Sequence, residues 1–371
     1  MAQPALILPA LTLKGVRLRA VSVPMARPLH TRVAVFTNAP LLLIDVETEE
    51  GVTGSAYLFG YLPDGPRYMA PLIAGIAAAC KGDAVVPAEI FAKAKKRLTL
   101  MGHDGLSLIA ISGFDMACWD ALGKAADLPL ARLLGGAATP VPAYNSNGLG
   151  IIDIDALGDE ALELLGDGGF DTVKLRLGRA TLEEDIQAVR KVRDAVGGAV
   201  NLPVDFNQCL DVEEALRRCR ALDGEGVYWI EEPIVYDDFV GCARIAAAVE
   251  TPVQIGENFF GPKDVTRALD ANACDYIMPD AERIGGVTGW LAAAEIADAA
   301  GVPFSSHILP EVSAHLLAVT PTAHLLEYVD WANPVIEQPL EIADGHAVIQ
   351  DRPGIGIAWN EDAVRRFATE L

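Results

Sequence analysis

Six polar residues recur at even spacing through the second half of the chain: Lys174, Asp205, Glu231, Glu257, Asp280 and His307, at steps of 31, 26, 26, 23 and 27 residues. Each ends a short apolar or β-branched segment: "DTVKLRL", "NLPVDFN", "GVYWIEE", "TPVQIGE", "CDYIMPD" and "VPFSSH". Three of them are carboxylates from consecutive segments. Asp205, Glu231 and Glu257 would repel one another strongly at a single point unless a cation sat between them. An all-oxygen donor set without Cys or His suits Mg2+, with Mn2+ next. His307 follows Asp280 by one repeat, so a neighbouring strand would bring a carboxylate to the imidazole. That orients the ring and raises its basicity, as a general base requires. Glu327, in "AHLLEYVD", would stand one repeat later on the far side of the metal or would be a surface acid, and spacing alone leaves both open. In "VKLRL", Val173 to Leu177, side chains alternate, so Lys174 and Arg176 share a face. Two inward cations make sense only among anions.

These residues need a scaffold that brings strand ends together. From Pro142 onward, strand-like segments alternate with amphipathic ones, the pattern of successive βα units. Thr181 to Glu184 and Asp211 to Glu214 both read as capping boxes, and Pro262 suits a first helical turn. Six or more such units without a glycine-rich dinucleotide turn favour a closed (β/α) barrel over an open doubly wound sheet. In a barrel, the polar residues would gather at the C-terminal rim, where the active sites of that fold lie. Residues 1 to about 138 read as α+β: "LLLIDVETEEGVTGSAYLF" predicts two antiparallel strands about Glu50 and Gly51, followed by Ala-rich helices between Met69 and Leu128. The expected division is an α+β domain over 1–138, a barrel over 139–340, and a tail over 341–371 that folds back on the first domain.

Composition narrows the function classes. The 371 residues carry a formal net charge of -22, which repels phosphate backbones and anionic lipid, so neither nucleic acid nor membrane is an expected partner. No run reaches the ~18 uninterrupted apolar residues of a membrane span. The opening "MAQPALILPALTLKGV" lacks the basic stretch of a signal peptide, which predicts a cytoplasmic protein. The six scattered cysteines form no C-x-x-C pair, so neither a disulfide framework nor a zinc site is expected.

With these residues in place, the chain resembles the mandelate racemase subgroup of the enolase superfamily. The resemblance runs in order through "HTRVAVFTNAPLLLIDV", "AYLFGY", "VDFNQ", "WIEEP", "GENFFGP", "MPDAERIGGVTGW", "SSHILPE" and "SAHLLAVTPTAHLLE". It implies an α/β fold, a (β/α)7β TIM-like barrel under an α+β capping domain. It matches Asp205, Glu231 and Glu257 to the Mg2+ ligands and Asp280 with His307 to the dyad that removes a proton. It matches Glu327 to the acid that donates to the substrate carboxylate, and Lys174 to the lysine that touches that carboxylate. Asn207 and Ser146 match polar lining residues. The segment Leu29 to Thr37, with Thr31 and Val33, and Tyr61 match the mobile loop and pocket wall. A small carboxylic acid substrate and a homo-oligomer, as large as an octamer, follow from the same resemblance.

The departure lies at Arg176, where the subgroup's K-x-K strand carries its second base. Arginine cannot be deprotonated at ordinary pH. A two-base racemase would therefore lose one base, whereas removing an α-proton and then expelling a β-hydroxyl from the same face needs only His307. The expected reaction is Mg-dependent dehydration of a sugar acid through an enediolate. The alternatives are racemisation or epimerisation of an α-hydroxyacid, mandelate included, and an acid-binding relative without turnover.

Overall fold

A computed structural model describes residues 9–371. Strands β1 (Leu13–His30), β2 (Val35–Thr48) and β3 (Thr53–Phe59) form an antiparallel meander. Register pairs Glu47 with Thr53, leaving a short turn at Glu50 and Gly51. In β2 the run Leu41, Leu42, Leu43 and Ile44 is buried throughout, because both faces are covered. Helices α1 (Gly65–Cys80), α2 (Pro87–Leu98) and α3 (Leu106–Ala125) supply one cover. Gly54 of β3 lies so close to α3 that a Cβ there would stand 2.0 Å from the Ala117 carbonyl oxygen, and only glycine permits that approach. α3 is apolar and long enough to cross a membrane, yet it is the buried core helix between sheet and barrel.

After the one-turn helix α4 (Leu130–Leu133), the barrel begins with β4 (Val141–Asn145). It continues through α5 (Leu157–Gly166), β5 (Leu175–Arg176), α6 (Leu182–Val196), β6 (Val204–Asp205), α7 (Val212–Leu222), β7 (Ile230–Glu231), α8 (Phe239–Ala246), β8 (Val253–Ile255), α9 (Pro262–Asp270) and β9 (Tyr276–Ile277). Then come α10 (Ala281–Ile284), α11 (Gly286–Ala300), α12 (Pro310–Leu317) and β10 (Leu326–Tyr328). β5 to β9 are parallel and in order. Single bridges from Ile277 to Phe304 and from Phe304 to Ala323 carry the sheet on, β10 pairs with β4, and Asn145 bridges to Val173, closing the ring. The architecture is the capped (β/α)7β barrel expected above.

The helix starts show how local sequence sets these units. Thr181 forms a full capping box with Glu184. Asp211 caps α7 by accepting from the Glu214 N–H at 2.8 Å, but the Glu214 carboxylate turns to Arg217 and Arg218. That box is half formed because two guanidiniums outbid one backbone N–H for the same oxygens. Pro262 opens α9. The tail divides: the hairpin β11 (Glu341–Ala343) and β12 (His346–Val348) adds to the barrel strand β4. Residues beyond Gly354 then cross to the cap, where α13 (Glu361–Phe367) leads into β13 (Ala368–Thr369) on the free edge of β1.

Candidate active site

At the barrel mouth the strands stop within one or two residues of a functional side chain, and the backbone there is bent into unusual conformations. Asn207, Gln208, Glu232, Ile308 and Leu309 all have positive φ. Ile308, β-branched at φ 34, holds a conformation such residues avoid, so the surrounding packing must enforce it. Strain of this kind concentrates where side chains must be aimed.

Asp205, Glu231 and Glu257 converge, with one oxygen from each lying within 4.8 Å of the others. Lys174 Nζ meets Glu231 Oε1 at 2.8 Å, Glu327 Oε1 at 2.6 Å and Asp205 Oδ2 at 3.4 Å. Burial alone would discharge this lysine, yet the three carboxylates outweigh it and hold its pKa above the ordinary value. Glu231, the deepest, is pushed up to about 8 by burial, countered by Lys174 and reinforced by Asp205, Glu327 and Glu257. The donor set is hard oxygen from three separate strand ends, with crowded negative charge that a divalent cation would relieve. It fits Mg2+.

His307 Nδ1 lies 2.9 Å from Asp280 Oδ2, and its Nε2 faces Glu257 Oε2 at 3.3 Å and Glu327 Oε2 at 3.9 Å. Burial works against the imidazolium, but Glu257, Glu327 and Asp280 together raise the ring to about 9. Asp280 is itself fixed, its Oδ1 accepting from the Glu282 N–H at 2.7 Å. The dyad therefore points one ring nitrogen at its orienting acid and the other into the cavity.

Two residues and one segment differ from expectation. Ser146 is fully buried and does not line the cavity: its hydroxyl accepts from Arg176 Nη2 at 2.9 Å. Arg176 Nη1 also donates to the Gly148 carbonyl at 2.8 Å, which ties the guanidinium to the loop after β4. Glu327, expected as a protonated donor, is held below the usual carboxylate range: burial raises it, but Lys174, His307 and the Ile308 N–H lower it further. It accepts from that N–H at 2.9 Å and pairs with Lys174 at 2.6 Å. The mobile-loop segment is mostly strand, with Leu29 and Phe36 paired across β1 and β2 and only residues 31–34 forming the connection.

A cavity of about 210 Å3 opens above these groups. Lys174, Arg176, Asp205, Asn207, Glu257, His307 and Glu327 form its floor and sides, with Thr31, Val33 and Tyr61 toward the cap. Sequence reasoning missed Phe59, Arg283, Ile308 and Trp331, which also line it. Phe59 packs at a tilt against Trp331 at 5.1 Å between centroids and edge-on against Tyr61 at 4.8 Å, forming an aromatic wall. Trp331 comes from the loop after β10, three residues past Tyr328, and only that place at a strand end could have marked it; Phe59 reads as a core strand residue.

Residues 14–135 match the mandelate racemase / muconate lactonizing enzyme N-terminal domain, and residues 156–363 match the enolase C-terminal domain-like family. The L-talarate/galactarate dehydratase of Salmonella typhimurium is 36% identical over 268 residues, 71% of this chain and 67% of that one. Among solved structures, an alphaproteobacterial enolase from strain bal199 with bound magnesium superposes with a TM-score of 0.95 at 46% identity, covering 97% of this chain and all of that one. A Bradyrhizobium enolase complexed with magnesium and mandelic acid gives a TM-score of 0.94 at 41% identity, covering 98% of this chain and 100% of the other.

Proposed function

This chain belongs to the mandelate racemase / muconate lactonizing enzyme family and is an enzyme, and we propose that it removes the α-proton of a sugar acid and expels water from the neighbouring carbon. The observation that carries this reading is the single base. His307 and Asp280 form an oriented dyad, while the other inward position on the β5 side is the guanidinium of Arg176, bound to Ser146 and Gly148. In strand order β5 stands three places from residues 304–307, across β4 and β10, so Arg176 approaches the substrate from a different side than the imidazole.

Asp205, Glu231 and Glu257 would hold Mg2+, which supplies Lewis-acid charge against the substrate carboxylate. The neutral His307 Nε2 takes the α-proton, breaking the C–H bond, while Asp280 keeps Nδ1–H in place and steadies the imidazolium. Negative charge moves onto the carboxylate as an enediolate, and Lys174 lies within the carboxylate cluster to meet it. The imidazolium then returns its proton to a β-hydroxyl on the same face. The C–O bond breaks, water leaves, and the resulting enol becomes a 2-keto-3-deoxy acid. Arg176, unable to lose its proton, contributes fixed positive charge and no second base.

A second reading, α-hydroxyacid racemisation or epimerisation, is favoured by the apolar upper half of the cavity, where Leu29, Val33, Phe36, Phe59 and Trp331 suit an aromatic or alkyl group. The mandelic acid in the Bradyrhizobium relative points the same way. Mass spectrometry in deuterated buffer with Mg2+, across aldonates, aldarates and both mandelate enantiomers, separates the two. Loss of one water from a sugar acid supports dehydration; deuterium incorporation into both enantiomers without mass loss would replace it with the racemase reading. Assembly into a homo-oligomer is part of the same proposal, supported by the exposed Leu100 and Met101, and light scattering would test it.

A further inference from the structure

Among the described residues, Tyr61 reaches from the cap to the dyad itself. Its hydroxyl donates to Asp280 Oδ2 at 3.1 Å, the same oxygen that His307 Nδ1 meets at 2.9 Å. With the Glu282 N–H on Oδ1, three donors from three segments converge on one carboxylate. The residue is held in an uncommon conformation, φ 57, at the end of β3. Its ring sits edge-on to Phe59, and the Arg283 guanidinium lies 4.3 Å above its centroid. Arg283 in turn donates to the Glu257 carbonyl at 2.9 Å and to Asn258 Oδ1 at 2.8 Å, so the same stack touches the segment that carries a metal-ligand candidate. The end of β3 is pinned a second time, because the Phe59 N–H donates to Glu282 Oε2 at 2.8 Å.

A residue whose only task is to wall the cavity needs neither the strained backbone nor a hydroxyl aimed at a buried carboxylate. We infer that Tyr61 is a positioning residue: seated cap and oriented base are one unit, because its hydroxyl fixes Asp280 and through it the His307 ring. This rests on the assignment of His307 and Asp280 as the base. It gives the cap a part in proton transfer in addition to its part in enclosing the substrate.

The test uses the full-length, Mg2+-loaded protein and Tyr61→Phe, which keeps the ring, its contact with Phe59 and its stack under Arg283. The first readout needs no substrate: the far-downfield proton resonance of His307 Nδ1–H, identified by its loss in His307→Asn, shifts or broadens in Tyr61→Phe. An unchanged resonance overturns the inference. The second is solvent-deuterium exchange at the α-carbon of whichever acid among mandelate, the aldonates and the aldarates exchanges fastest. Removing one hydrogen bond to a charged group should lower kcat about tenfold while KM stays within about twofold. In an Asp280→Asn background the same change should have no further effect. A rise in KM with kcat kept, or a full tenfold effect in the Asp280→Asn background, makes Tyr61 a wall and nothing more. Undiminished exchange in His307→Asn and Asp280→Asn themselves would instead remove the base assignment, a failure visible before Tyr61 is considered.

Discussion

The protein buries two groups of carboxylates, one at the barrel mouth and one along the seam between cap and barrel, and answers them differently. At the seam, Asp115 accepts from the Thr288 N–H at 2.9 Å and from its hydroxyl at 2.5 Å. Glu282 takes the Phe59 N–H and Glu311 takes the Tyr57 hydroxyl at 2.6 Å, each leaving its second oxygen without a partner. Asp120 binds the Ser55 and Ile355 N–H groups, both at 2.6 Å, with Lys124 at 2.7 Å as its cation. At the mouth, Asp205, Glu231, Glu257, Asp280 and Glu327 lie among Lys174, Arg176, Arg283 and His307. Burial pushes Asp115 up to about 7 and Glu282 to about 8, whereas Glu327, equally buried, falls below the ordinary range because Lys174 and His307 face it. A cation lowers a buried acid only where it outweighs burial and the neighbouring carboxylates: Lys174 and His307 do so for Glu327, whereas Glu231 beside Lys174 and Asp120 beside Lys124 both stay raised. The seam therefore ties the two domains together, while the mouth stores charge for chemistry.

The sharpest way to break this contrast is to remove mouth groups and look for loss of turnover without loss of fold. His307→Asn should lower α-proton exchange by about 10^2 to 10^4, the range of a general base, with little change in thermal midpoint. Glu257→Gln should be as damaging for a different reason. Calorimetry should show Mg2+ binding in the wild type and its loss in the variant, and added Mg2+ should raise the wild-type thermal midpoint alone.

The seam predicts an effect on stability instead. Asp115 has a raised pKa in the folded state, so the folded protein binds the extra proton between the unfolded value, 3.8, and about 7. Its contribution is full below that window and is lost as pH rises through it, a difference of roughly 4 kcal/mol at most. Denaturation of wild type and Asp115→Asn across the window should show the wild type losing stability relative to the variant as pH rises; parallel curves would break the contrast. His307 gives the opposite readout. Glu327 and Asp280 support its charged form against burial, and the base form grows with pH, so exchange should climb as pH rises through the neutral range. Arg176→Lys should have the smallest effect, a slow exchange of the enantiomer that the wild type ignores, measured by deuterium incorporation.

Much of this was legible before any coordinates. The recurrence of Lys174, Asp205, Glu231, Glu257, Asp280 and His307 at one polar residue per strand end determined both the barrel and the charged mouth, because a strand's two-residue period sends alternate side chains inward and equal repeats bring their ends to one rim. The α+β cap followed from two apolar strands about the turn at Glu50 and Gly51 and from the Ala-rich helical stretches after Met69. The contacts of individual side chains were not legible. Tyr61 touches Asp280 from 219 residues away, Phe59 meets Trp331, and Ser146 serves Arg176 in place of the cavity. Nor did the sequence mark Glu282 or Glu311 as acids of the seam, since both lie outside the even spacing of the strand ends. Local periodicity is a property of the chain and can be read along it; whether a buried carboxylate meets a lysine or a backbone N–H depends on which distant segment packs against it, and only the tertiary structure decided that.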